Sequence, residues 1–183
     1  IAVSPRRRLI AVRIIDSRAH HPRPKSSTRK APLTATPIQP VDSDVASGVT
    51  TLSPQWSVVL PQPMNRRLED GSLVLWRPGV TAWLSLWNLR SGESPAACIE
   101  RLSAQAPPHR FDVRRWRHGD LQFVGYRVAD PGGPAAVPPL YGFAAAPAGY
   151  LAMTVYFDDE AALTEAGTIL ASAQSPAATV AGA

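Results

Sequence analysis

The run Ser72-Leu73-Val74-Leu75-Trp76-Arg77-Pro78-Gly79-Val80-Thr81-Ala82-Trp83-Leu84-Ser85-Leu86-Trp87 constrains the fold more than any other part of the chain. Two β-rich segments flank Pro78-Gly79. Pro at the second turn position and Gly at the third specify a type II turn, because the third position needs a positive φ that Gly adopts at little cost. The turn fixes the register. With Arg77 opposite Val80, Trp76 faces Thr81, Val74 faces Trp83 and Leu73 faces Leu84. One face of the hairpin then carries Val74, Trp76, Trp83, Ser85 and Trp87, and the other carries Leu73, Leu75, Leu84 and Leu86. Both faces are apolar, so the sheet is either covered on both sides or offers one side to a partner.

Around this hairpin the sequence predicts a short strand, Trp56–Leu60, closed by Pro61 and Pro63, and a polar turn over Asn65–Gly71. Ser94-Pro95 is a helix start, a hydroxyl N-cap followed by Pro at the first helical position. Cys98, Ile99 and Leu102 form its buried stripe until Pro107-Pro108 ends it. A second hairpin, Phe111–Arg117 with Leu121–Val128, turns at His118-Gly119-Asp120. A Pro/Gly/Ala loop over Ala129–Pro139 precedes a last strand pair, Leu140–Ala144 and Tyr150–Phe157. In that final strand Leu151, Met153, Val155 and Phe157 alternate with Ala152, Thr154 and Tyr156. Asp158-Asp159-Glu160 opens a second helix over Ala161–Ala173, with Leu163, Ala166 and Leu170 inward. The order β-β-β-α-β-β-β-β-α predicts an α+β domain over residues 54–174, an antiparallel sheet of about six to seven strands with two packing helices.

Composition matters chiefly at the N-terminus. Residues 1–55 hold nine Lys/Arg against three Asp, a net of +6, whereas residues 56–183 hold ten Arg against eleven Asp/Glu, a net of −1. The basic character therefore belongs to the first segment and not to the domain. Residues 1–53 contain no aromatic residue and recurrent prolines, and are read as a disordered tail; residues 175–183 are read likewise. The tail admits four readings: an anionic-partner or nucleic-acid arm, a transit-type segment, a twin-arginine export signal weakened by Arg13 and Asp16, and a stretch that is not native to the protein. The last ranks first, because the first Met is Met64 and both lysines, Lys25 and Lys30, lie in the tail. The expected compartment is the cytoplasm, or the periplasm should the tail be a targeting segment. One cysteine in 183 residues excludes an internal disulfide framework.

The element order, the phrase Trp56-Ser57-Val58-Val59-Leu60-Pro61, the central Leu-Trp hairpin and Tyr150–Phe157 running into a terminal helix are similar to the PsbP-like α/β/α sandwich. The resemblance spans roughly Trp56 to Ala173 and implies a binding or assembly factor rather than an enzyme. The phrases Gly71–Gly79 and Tyr156–Glu160 also resemble small proteobacterial proteins with no assigned activity.

Residues able to carry chemistry are few. His109 and His118 stand at opposite ends of one predicted strand, too far apart to share a metal, and neither a metal nor a cofactor is expected. Cys98 lies on an apolar helical stripe and reads as core. Arg114, Arg115 and Arg117 interleave with Trp116 as in single-stranded nucleic-acid binders, or as charged gatekeepers of an edge strand. Simple alternation puts Arg115 and Arg117 on the face of Phe111 and Val113. The favoured reading is a non-enzymatic binding or accessory protein that takes an apolar protein segment or ligand on its aromatic face. Trp76, Trp83 and Trp87 would be the anchors and Arg77 and Arg90 the rim. The alternatives are an anionic-partner binder through the basic arm and Arg114–Arg117, and an enzyme using His118 or His109.

Overall fold

The computed structural model describes residues 35–36, 45–129 and 137–175, all within the compact unit Pro32–Ala183. Of the segments read as tails over 1–53 and 175–183, residues 1–34, 37–44 and 176–183 lie outside the described residues, as do residues 130–136 of the loop read at 129–139.

Among the described residues nine strands and two α-helices are formed: β1 (Ala35–Thr36), β2 (Val45–Ser53), β3 (Trp56–Glu69), β4 (Ser72–Arg77), β5 (Val80–Trp87), α1 (Pro95–Gln105), β6 (Arg110–His118), β7 (Leu121–Val128), β8 (Leu140–Ala146), β9 (Gly149–Phe157) and α2 (Leu163–Ala171). Eight strands make one antiparallel path in the order β2-β3-β4-β5-β9-β8-β7-β6, and the two-residue β1 pairs with the end of β5. The architecture is the expected α+β one, but the sheet has eight strands along its path rather than six to seven.

The central hairpin has the predicted register at every pair, from Leu73 opposite Leu84 to Arg77 opposite Val80, around a turn with Gly79 at φ +81°. The alternation propagates through β9, where Val80, Ala82, Leu84 and Leu86 face Phe157, Val155, Met153 and Leu151. These residues form the larger core, together with Ala166, Ile169 and Leu170 of α2. On the opposite face Val124, Tyr126, Phe143, Ala145 and Tyr150 form a smaller core with Cys98, Ile99, Leu102 and Ala106 of α1 and the residue that follows it. Each helix thus covers one side of the sheet.

Close packing of α2 depends on Gly142 in β8. A Cβ there would lie 2.4 Å from Cδ2 of Leu170, whose side chain is almost wholly buried. The helix settles onto the sheet where the strand has no side chain to hold it off. Both helices start as the sequence specifies. The Ser94 hydroxyl accepts the N–H of Ala97 at 3.2 Å, and the Asp159 carboxylate accepts the N–H of Ala161 at 2.9 Å ahead of a 3-10 turn that leads into α2.

Three expectations are corrected. Val45–Ser53, assigned to the tail, is a strand of the sheet, so the domain does not begin at residue 54. The segment carries little local strand signal, because it lacks aromatics and has Gly48 near its centre. Second, β3 does not stop at Leu60 but runs through Pro61 and Pro63 to Glu69. The ladder to β2 skips these prolines, passing from Leu60–Gly48 to Met64–Ala46, so their missing N–H groups interrupt no bond. The first half of β3 instead gains a partner beyond α2: Ser57 exchanges backbone bonds with Gln174, and the N–H of Val59 donates to Ser172 Oγ at 2.7 Å. Third, a bulge between Phe111 and Arg114, with Asp112 at φ +51°, shifts the phase of β6. Phe111 therefore pairs with Arg127 on the α2 side, while Arg115 and Arg117 point to the α1 side.

Candidate functional site

The two faces of the sheet are covered unequally. On the α1 side the helix lies over β7 and β8. The neighbouring strands β3, β4 and β5 carry on that same side Asn65, Arg67 and Glu69, Ser72, Val74 and Trp76, and Thr81, Trp83, Ser85 and Trp87. β9 adds Tyr150, Ala152, Thr154 and Tyr156 through its pairing with β5. Trp76 and Trp83 are half-buried and belong to neither apolar core. Trp87 differs: it packs against the α1 core and is the inner wall of the platform rather than an open anchor.

The platform is aromatic with a polar lattice. Arg67 stacks its guanidinium over Trp76 at 4.9 Å and pairs with Glu69 at 2.8 Å. The hydroxyls of Ser72 and Ser85 share a hydrogen bond of 2.7 Å between the two tryptophan rows. Tyr156 has its phenol pushed up by burial, partly countered by a hydrogen bond with Tyr141. The Trp83 indole N–H has no partner among the described residues although the atom itself is covered. An unmet buried donor is destabilising by about 1–3 kcal/mol, a feature natural folds keep mainly where something else is gained.

The residues assigned to the rim divide. Arg77 sits on the opposite face, because alternation turns it away from Trp76, and its guanidinium pairs with Glu165 of α2. It is a strut for the helix and not part of the aromatic face. Arg90 lies in the connection from β5 to α1, where its backbone N–H donates to Glu93 at 3.1 Å. Glu93 also accepts from Arg101 at 2.7 and 2.9 Å, and the Arg101 bonds hold its carboxyl below the ordinary range. Arg67 and Tyr156 take the place of Arg77. The sequence places Tyr156 in the alternation of its strand, but only the pairing of β9 with β5 brings it beside Thr81 and the tryptophans.

The remaining candidates fall out of any common centre. His109 and His118 are both exposed, at the two ends of β6. Among the described residues no group of three or more His, Cys, Asp or Glu is placed to hold a metal. Cys98 is fully buried, and desolvation pushes its thiol up to about 11 despite Arg101, so at neutral pH it is a protonated core residue. Trp116 does not join the arginines beside it in sequence: it stacks on Phe123 at 4.9 Å and 5° between planes, on the face away from Arg115 and Arg117. Arg114, opposite Gly125, is the arginine that shares the Trp116 side of β6. A cleft of about 270 Å³ separates α1 from β6 and β7, with Arg115, Arg117 and Gln122 opposite Ile99 and Glu100.

Fold and site define an α+β domain: one antiparallel sheet with a helix on each of its faces. No family model, no curated protein and no solved structure matches the chain. No helix among the described residues is long and apolar enough to cross a membrane.

Proposed function

We propose that this chain is a non-enzymatic binding or accessory protein that receives an apolar protein segment on the sheet face formed by β3, β4, β5 and β9. Trp76 and Trp83 are its anchors, Tyr156 and Trp87 its walls, and Arg67 the cation at its edge. The observation that carries the reading is the membership of the tryptophans. Two large aromatic side chains stand half-buried on a regular sheet, outside both apolar cores, while among the described residues α1 lies over β7 and β8 on the adjacent part of the same face. Aromatic anchors of this kind dominate the energetics of protein–protein contacts, since they bring much apolar area with few rotatable bonds. The resemblance to PsbP-like sandwiches, whose members mostly act as binding or assembly factors, leans the same way.

The test is an array of apolar peptides probed with the wild type and with Trp76→Ala/Trp83→Ala. Peptides held by the wild type should shift its tryptophan emission and be lost by the double variant. Binders indifferent to both substitutions would place recognition elsewhere.

A further inference from the structure

The two end strands of the sheet, β2 and β6, differ in a way that points to a second, independent binding site. β6 ends the sheet on one side, and eight of its nine residues are either exposed or, for Trp116, turned to the other face. Its hairpin with β7 closes through the two-residue turn Gly119-Asp120, flanked by the pair His118–Leu121. In a two-residue hairpin the flanking pair is hydrogen-bonded, and bonded and non-bonded pairs alternate from there. Trp116–Phe123 and Arg114–Gly125 are thus bonded pairs. Arg115 and Arg117 face Val124 and Gln122 without bonds, so their N–H and C=O groups point outward from the sheet.

The side chains of the same two residues project toward α1 and line the 270 Å³ cleft. Arg117 has no partner among the described residues. Arg115 pairs with Glu100, but the two side chains are 45 % and 68 % exposed, so solvent screens the pair and another carboxylate can replace Glu100 at little cost.

We propose that the β6 edge is a strand-addition site for an extended acidic peptide. A strand laid antiparallel on β6 would exchange backbone hydrogen bonds with Arg115 and Arg117. Residues directly opposite each other put their side chains on the same face, within about 5.5 Å. The peptide therefore needs Asp or Glu at two positions separated by one residue, while the residue between them points to the Trp116 side and is best apolar. A second copy of the chain does not fit. β6 against β6 places Arg near Arg, and the other edge strand, β2, contains no acid. Nucleic acid is disfavoured because the outward groups form a strand ladder and the Trp116 ring is engaged with Phe123.

The experiment is a fluorescence-anisotropy titration of the full chain with a labelled, end-blocked Thr-Glu-Val-Glu-Thr peptide. Controls are the Gln-for-Glu peptide, the peptide N-methylated at both Glu nitrogens, and a short single-stranded oligonucleotide. Loss of both charges should weaken binding roughly tenfold, and so should Arg115→Gln/Arg117→Gln, as expected for two solvent-exposed cross-strand pairs. N-methylation should abolish it, and amide exchange at Arg115 and Arg117 should slow on binding. No binding of the acidic peptide, equal binding of the Gln or N-methylated peptide, or tighter binding of the oligonucleotide overturns the proposal. Should the arginine variant fail to fold, the peptide controls decide alone.

Discussion

Arg127 is a buried charge on the α2 side of the sheet, and the magnitude of Arg127→Ala can be worked from its contacts. The residue is 4 % exposed. Its Nε and Nη2 donate to the carbonyl of Pro138 at 3.2 and 3.0 Å, and its fork engages Glu160, with Asp112 at 3.5 Å. The guanidinium lies 5.3 Å from the ring centre of Phe111 and 5.6 Å from that of Phe157. Glu160 and Asp112 are both more than half exposed, so water largely replaces Arg127 when it is removed and their share of the loss is small. The Pro138 carbonyl loses both donors, at about 1–2 kcal/mol. The two cation–ring contacts are worth about 0.5–1 kcal/mol each. The aliphatic stem and the space it leaves add about 1 kcal/mol. The sum is about 3–5 kcal/mol. With a urea slope of about 1.5–2 kcal/mol per M, the unfolding midpoint followed by tryptophan emission should fall by about 2 M. Arg127→Lys keeps the charge but not the fork, and should recover less than half of the loss. A fall in Arg127→Ala equivalent to less than about 1 kcal/mol, or full recovery with Lys, would refute the reasoning.

Four further outcomes follow from the same contacts. Gly142→Ala should destabilise by about 1–3 kcal/mol in the same urea assay, and the loss should shrink in a Leu170→Ala background, because the clash is with that side chain. Ser94→Ala should lower stability by about 1 kcal/mol through the lost cap on Ala97, measured by chemical denaturation. Cys98, with its thiol near 11, should resist iodoacetamide at pH 8 in the native protein and react once urea unfolds it; fast native labelling would contradict its burial. The Glu160 carboxyl is held below its ordinary value of 4.5, first by its bonds to Arg127. Its contribution is therefore present above that value and is lost as pH falls through the lowered one, so Arg127→Met should unfold with a weaker acid dependence below about pH 4.5 than the wild type.

The sequence carried the centre of this fold and lost its edges, for physical reasons. Pro78-Gly79 determines a turn type, and a turn type determines a register, so every partner in the β4–β5 hairpin was legible from local residues. Ser94-Pro95 did the same for α1. The misses are places where distant chain segments overrule a local signal. Pro61 and Pro63 signal a strand end, yet β3 continues because the ladder skips them and residues after α2 supply new partners. The bulge at Asp112 adds a residue that alternation does not anticipate, and it moved Phe111 to the face opposite Arg115 and Arg117. At the candidate site, the tryptophans could be placed from the hairpin alone. Arg67 and Tyr156 could not: Tyr156 meets Thr81 across 75 residues of chain, and Arg67 meets Val74 only because β3 continues past Pro61 and Pro63.

Trp83 and Leu84 are neighbours on β5 that face opposite sides of the sheet, and their substitution to Ala tests the central claim most directly. Leu84 is fully buried in the α2 core, and its loss should destabilise by about 2–5 kcal/mol. Trp83 lies outside both cores, and Trp83→Ala should lower the unfolding free energy by less than about 2 kcal/mol while abolishing capture of apolar peptides. A loss of about 3–5 kcal/mol for Trp83→Ala, equal to that of a core tryptophan, would make the aromatic face part of the scaffold and contradict its role as a recognition surface.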